Sequence, residues 1–63
     1  MSEFDPEVVA AAKALNRADS GGVGTYEWNN YENGDRTPDT MRHVRQYIGR
    51  AEAALKAANS IKQ

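Results

Sequence analysis

The residues best equipped for chemistry are crowded into two adjoining stretches. Arg42, His43, Arg45 and Arg50 lie close together, with Arg36 just ahead of them. Tyr26, Trp28 and Tyr31, three of the five aromatic side chains, come shortly before. Guanidinium groups grip phosphates and carboxylates through paired N–H donors, and aromatic faces stack on nucleobases. The same residue types also dominate protein–protein hot spots. The arginines fall near the start of a predicted helix, where the backbone already carries about half a positive charge, so an anion should answer them.

Tyr26, Trp28, Tyr31, Arg42, Arg45 and Arg50 are therefore the candidate ligand-binding residues, with Arg45 the preferred contact. A plainer reading competes with this one. Glu27, Glu32, Asp35 and Asp39, or the acidic start of the first helix in a neighbouring subunit, could neutralise the arginines. Tyr26 and Trp28 could close the open end of a helix pair, leaving Tyr31 as the most exposed of the three. Tyr47 is expected at the edge of the core.

Catalysis finds little support. His43 with Asp39 one helical turn away could form an oriented imidazole, yet there is no cysteine and no serine placed as a nucleophile beside it. One histidine without cysteines cannot build a structural zinc site. Gly21, Gly22 and Gly24 follow a helix and lack the lysine of a phosphate loop. The expectation is a binding protein, not an enzyme, with no metal and no cofactor.

Behind these residues stand the elements that must position them. Asp5-Pro6-Glu7 reads as a capped helix start, with Phe4 and Val9 at staple spacing. Phe4, Val8, Ala11, Leu15 and Ala18 then step by three and four, predicting helix 1 over about residues 6–18. Gly21-Gly22 ends it. Thr37-Pro38-Asp39 repeats the cap logic, with Thr37 as N-cap. Met41, Val44, Ile48, Ala51, Leu55 and Ala58 form a seam flanked by Tyr47, Ala54 and Ile61, predicting helix 2 over about residues 38–60. Residues 19–36 make an aromatic-containing connector, within which residues 25–32 suit either a short helix or a tight hairpin. The spacing thus predicts one all-α domain over residues 1–63. Its expected form is a two-helix antiparallel hairpin whose seams are covered along their whole length in a symmetric homo-oligomer.

Length supports association: 63 residues bury little surface, and chains this small usually need disulfides, metals or partners. The formal net charge is −1, but residues 1–35 are acidic and residues 36–63 basic, so the halves complement each other within or between subunits. That net charge argues against nucleic acid as a partner. No apolar run approaches a membrane span, and the first residues have neither the basic start nor the apolar run of a secretory signal, so a cytoplasmic protein is expected.

In size and layout alone, a cysteine-free pair of Ala-rich helices around an aromatic connector resembles the small phage-encoded proteins that block bacterial defences. That resemblance implies either an oligomer that sequesters an anionic, nucleotide-like ligand at a subunit interface, or a small inhibitor or adaptor that binds a protein through the same aromatic and arginine surface.

Overall fold

Local capping chemistry sets where the chain turns. Asp5 accepts the Glu7 N–H at 2.8 Å ahead of Pro6, and α1 runs Pro6–Asp19. It closes where the Gly22 N–H reaches the Arg17 carbonyl at 2.6 Å, with Gly21 and Gly22 at φ 72° and 95°, left-handed conformations that favour glycine. Thr25 caps α2 (Tyr26–Glu32), its hydroxyl oxygen accepting the Trp28 N–H, and Asn33-Gly34 ends that helix. A helix therefore occupies residues 25–32, where the sequence alone also permitted a hairpin. The computed structural model describes residues 3–61, which form three helices, the third being α3 (Pro38–Ile61).

Thr37 does not cap α3 with its side chain, as its position before Pro38 suggested. Its hydroxyl donates to Asp35 instead, and the Asp35 carboxylate also receives the Thr37 N–H at 3.0 Å and the Thr40 hydroxyl at 2.7 Å. These donors, the Thr40 hydroxyl foremost, hold the Asp35 carboxyl below the usual carboxylate range.

The long helices do not form the expected antiparallel hairpin. Glu3, just ahead of α1, bonds Arg36, just ahead of α3, at 2.7 Å; Asp19, at the end of α1, bonds Arg50 at 2.9 Å. With both ends of α1 tied in this order, α1 and α3 must run in the same general direction. The return is made by α2, whose cap Thr25 meets Asn16 and whose last residue Glu32 meets Lys13. The physical reason is that the connector folds: a seven-residue helix carries the chain back and lets α3 start beside the beginning of α1.

The core lies where the three helices meet. Ala12, Trp28, Val44, Tyr47, Ile48 and Ala51 are buried together, with Phe4, Val8, Val9, Ala11, Leu15 and Tyr31 packed around them. On α3 the buried set matches the seam and its flank through Ala51. On α1 the phase is rotated: the fully buried positions are Ala12 and Asn16, while Ala11 and Leu15 are half-buried and Ala18 is exposed. Rings form a continuous line across the fold, Phe4–Tyr31–Trp28–Tyr47–His43, with centroids 5.3 to 6.5 Å apart. Beyond Ala51, α3 continues with Leu55 half-buried and residues 52–54 and 56–61 exposed, so the seam is covered over only its first part within one chain. Among the described residues no helix is long and apolar enough to cross a membrane.

Candidate functional site

The face where all three helices contribute polar side chains is organised by Asn16, a fully buried polar residue on α1. Its Oδ1 accepts the Thr25 N–H at 2.9 Å, and its Nδ2 donates to Thr25 Oγ1 at 3.1 Å and lies 3.4 Å from His43 Nε2. Thr25 Oγ1 receives two N–H donors, from Asn16 and Trp28, so its own proton goes to His43 Nε2, 2.7 Å away. In the neutral imidazole the ring proton then sits on Nδ1. Every polar atom of the Asn16 side chain is used, which makes its burial affordable only as long as Thr25 and His43 stay in place. His43 is thus part of a three-helix clasp, not the partner of Asp39, whose carboxylate is bonded by Arg42 at 3.1 Å.

Beside the clasp opens a shallow groove of about 310 Å³ lined by Glu27, Asp39, Arg42, His43 and Gln46. Three of these, Asp39, His43 and Gln46, rise along α3 at spacings of four and three, and Glu27 faces them from α2. The groove carries two carboxylates against one guanidinium, so an anion entering it would meet net repulsion. Among the described residues Glu27 has no ion-pair partner. Next to Glu27 in the chain, Tyr26 is 77 % exposed, and Val23 on the preceding loop is 73 % exposed.

The six candidate residues are not gathered in one place. Trp28 is 1 % exposed and belongs to the core; its buried indole N–H lacks a well-formed hydrogen bond and exerts only a weak pull on the Glu32 carboxylate, which Lys13 chiefly holds below its usual range. Tyr31 is half-buried, with Arg36 stacked 4.2 Å from its ring centre on a surface also bounded by Phe4. Tyr26, not Tyr31, is the solvent-facing aromatic, because α2 turns Trp28 and Tyr31 toward the core and Tyr26 away from it.

Arg42 and Arg45 are exposed on α3. Arg42 is paired with Asp39, whereas Arg45 makes no ion pair or hydrogen bond among the described residues. Arg50 is committed elsewhere. Its guanidinium bonds Asp19 and lies 5.1 Å from the Tyr47 ring centre, while the Tyr47 hydroxyl donates to the same Asp19 oxygen at 2.8 Å. Arg50, then Tyr47, draws the Asp19 carboxyl below its usual range, and Asp19 in turn raises both Tyr47 and Arg50. Arg36, Arg42 and Arg50 thus have internal acids as partners.

Sequence reasoning missed Asn16 and Thr25 altogether. A polar residue on an alanine-rich helix gives no periodic signal of burial; the one available hint was that Asn16 shares a helical face with Ala12 and Val9. No group of histidine, cysteine or acidic side chains suited to a metal ion occurs among the described residues. No protein-family model, curated protein or solved structure matches the chain, so its surface chemistry is what speaks to function.

Proposed function

We propose that this protein is a non-catalytic binding module of the inhibitor or adaptor kind, whose partner is another protein. The observation that carries this reading is the exposure of Tyr26, which adjoins the groove residue Glu27 in the chain, together with that of Val23 on the loop before α2. Apolar contact area on a short capped helix, next to paired donors and acceptors, suits a protein surface, where Tyr and Arg concentrate binding energy. Lack of catalysis is supported by His43, whose Nε2 is occupied by Thr25 and Asn16, in a chain without cysteine. Action as a counter-defence inhibitor is one setting compatible with this reading.

The sequestration of a nucleotide-like anion is the second reading, and Arg45 is the observation that favours it, as an exposed α3 arginine without an internal acid. Two measurements separate the readings. Affinity capture from the native host, scored by mass spectrometry, should retain one protein with wild type and lose it with Tyr26→Ala, a truncation expected to cost about 2 kcal/mol at a hot spot. A nucleotide thermal-shift screen should show no stabilisation. A concentration-dependent shift that Arg45→Ala abolishes would replace the protein-binding reading with the anion one.

A further inference from the structure

We infer that His43 is a proton-operated latch: neutral, it closes the clasp on Thr25; charged, it leaves Thr25 for the Glu27 carboxylate on the other side of the groove and frees the start of α2. The count of donors at one oxygen carries this. Thr25 Oγ1 has two lone pairs and one proton. Its lone pairs take the Asn16 Nδ2–H and the Trp28 N–H, and its proton goes to His43 Nε2 at 2.7 Å. A proton added to Nε2 turns the acceptor of that hydroxyl into a donor. Three donors then converge on two lone pairs, the threonine proton has lost its acceptor, and Asn16 Nδ2, 3.4 Å from Nε2, faces another N–H. Around a side chain as buried as Asn16, no water separates donors that face each other, so the clasp has to part.

The charged ring has somewhere to go. It is faced from α2 by Glu27, along its own helix by Asp39, Arg42 and the Tyr47 ring at 5.3 Å, whose hydroxyl is held by Asp19, and from α1 by the neutral Asn16 amide. Asp39 and Arg42 answer each other at 3.1 Å. Glu27 is half-buried and has no ion-pair partner among the described residues, so its carboxylate is the local charge left for an imidazolium to satisfy. One ring thus has a separate partner for each of its charge states.

What moves is set by how α2 is held. Thr25 supplies both the cap on the Trp28 N–H and the link to α1, whereas the far end of α2 is tied separately, through Glu32 to Lys13. Opening the latch loosens the first turn, with Tyr26 and Glu27 on it, while α1 and α3 stay packed through Ala12, Val44, Ile48 and Ala51. His43 is the only histidine, and histidine is the side chain that ordinarily changes charge between about pH 5 and 8. The lowered carboxyls of Asp19, Glu32 and Asp35 titrate below that range. Closure is therefore favoured at the alkaline end and lost as the ring charges.

Site-resolved amide exchange of the full chain by nuclear magnetic resonance, with the His43 ring nitrogens observed in the same samples, tests the latch. Between about pH 8 and 5.5 the protection factors of the Thr25 and Trp28 amides should fall about tenfold as the ring takes its proton, while those of Val44 and Ile48 hold. This coupling is read on the wild type, without any variant. His43→Gln, whose amide oxygen can accept the Thr25 hydroxyl and never charges, should keep both amides at their alkaline protection throughout. Glu27→Gln should move the wild-type change to lower pH. A ring that charges with both amides still protected, a ring that stays neutral over the whole range, or a His43→Gln chain that loses protection equally would overturn the latch. A Glu27→Gln chain that follows the wild-type profile would overturn the role given to Glu27. The inference rests on the fold alone and stands whether or not Tyr26 meets a protein partner.

Discussion

Two polar clusters tie α1 to α3, and they differ in the one respect that decides their worth, access to water. The Asn16–Thr25–His43 clasp is built around a side chain with no exposed surface, and a donor deserted there has no solvent to turn to. The Asp19–Tyr47–Arg50 clamp contains charges and bonds just as short, but Asp19 and Arg50 stand about half exposed. Buried amide and hydroxyl groups of modest polarity therefore hold this fold more firmly than its ion pairs do, since an exposed pair only exchanges one hydrated state for another.

The sharpest way to break the comparison is to empty the clasp. Asn16→Ala removes three bonds and strands the Thr25 N–H, and should cost about 2 to 4 kcal/mol in chemical denaturation, a large share of what a chain this size has to spare. A smaller effect is expected from acid. Because the Asp19 carboxyl is held below its usual value near 3.8, its contribution is complete above that pH and is lost as the pH falls through the lowered value in the folded protein. Thermal melts from pH 6 down to about pH 2 should therefore show wild type losing stability below about pH 4, with Asp19→Asn starting lower and losing less. Glu32 and Asp35, also lowered, will keep part of the slope in that variant. The smallest effect is that of Arg50→Ala at neutral pH, a modest drop in melting temperature that shrinks as salt is raised. An Arg50→Ala loss as large as that of Asn16→Ala, and insensitive to salt, would reverse the ranking.

The same contrast explains what could be read from the sequence. The start of α1 follows from the Asp5 cap before Pro6 and that of α3 from Pro38 at its first position, signals that act within a few residues, although the capping role read for the Thr37 side chain is not what the fold uses. The α3 stripe through Met41, Val44, Ile48 and Ala51 is legible because it is apolar and periodic. On α1 the buried face is centred between Ala12 and an asparagine, and apolar periodicity assigns the wrong neighbours to the core when its middle is polar. The pairings that redirect the helices join positions about thirty residues apart, Glu3 with Arg36 and Asp19 with Arg50, and no local pattern encodes them. For the same reason Arg50 read as a free cation and Tyr31 as the outward tyrosine. Both are satisfied by residues that only the folded chain brings near.

The line of rings from Phe4 to His43 gives the molecule an optical property as well. Trp28 is the only tryptophan, and it sits at the centre of that line with Tyr31 and Tyr47 on either side, each on a different helix or contacted from one. Light absorbed by either tyrosine has an indole within close range to receive it, and the indole emits from a site that water does not reach. Separation of α3 from α2 would then both redden the tryptophan emission and release tyrosine fluorescence. The chain thereby carries its own label-free reporter of whether its helices are together, readable without any added probe.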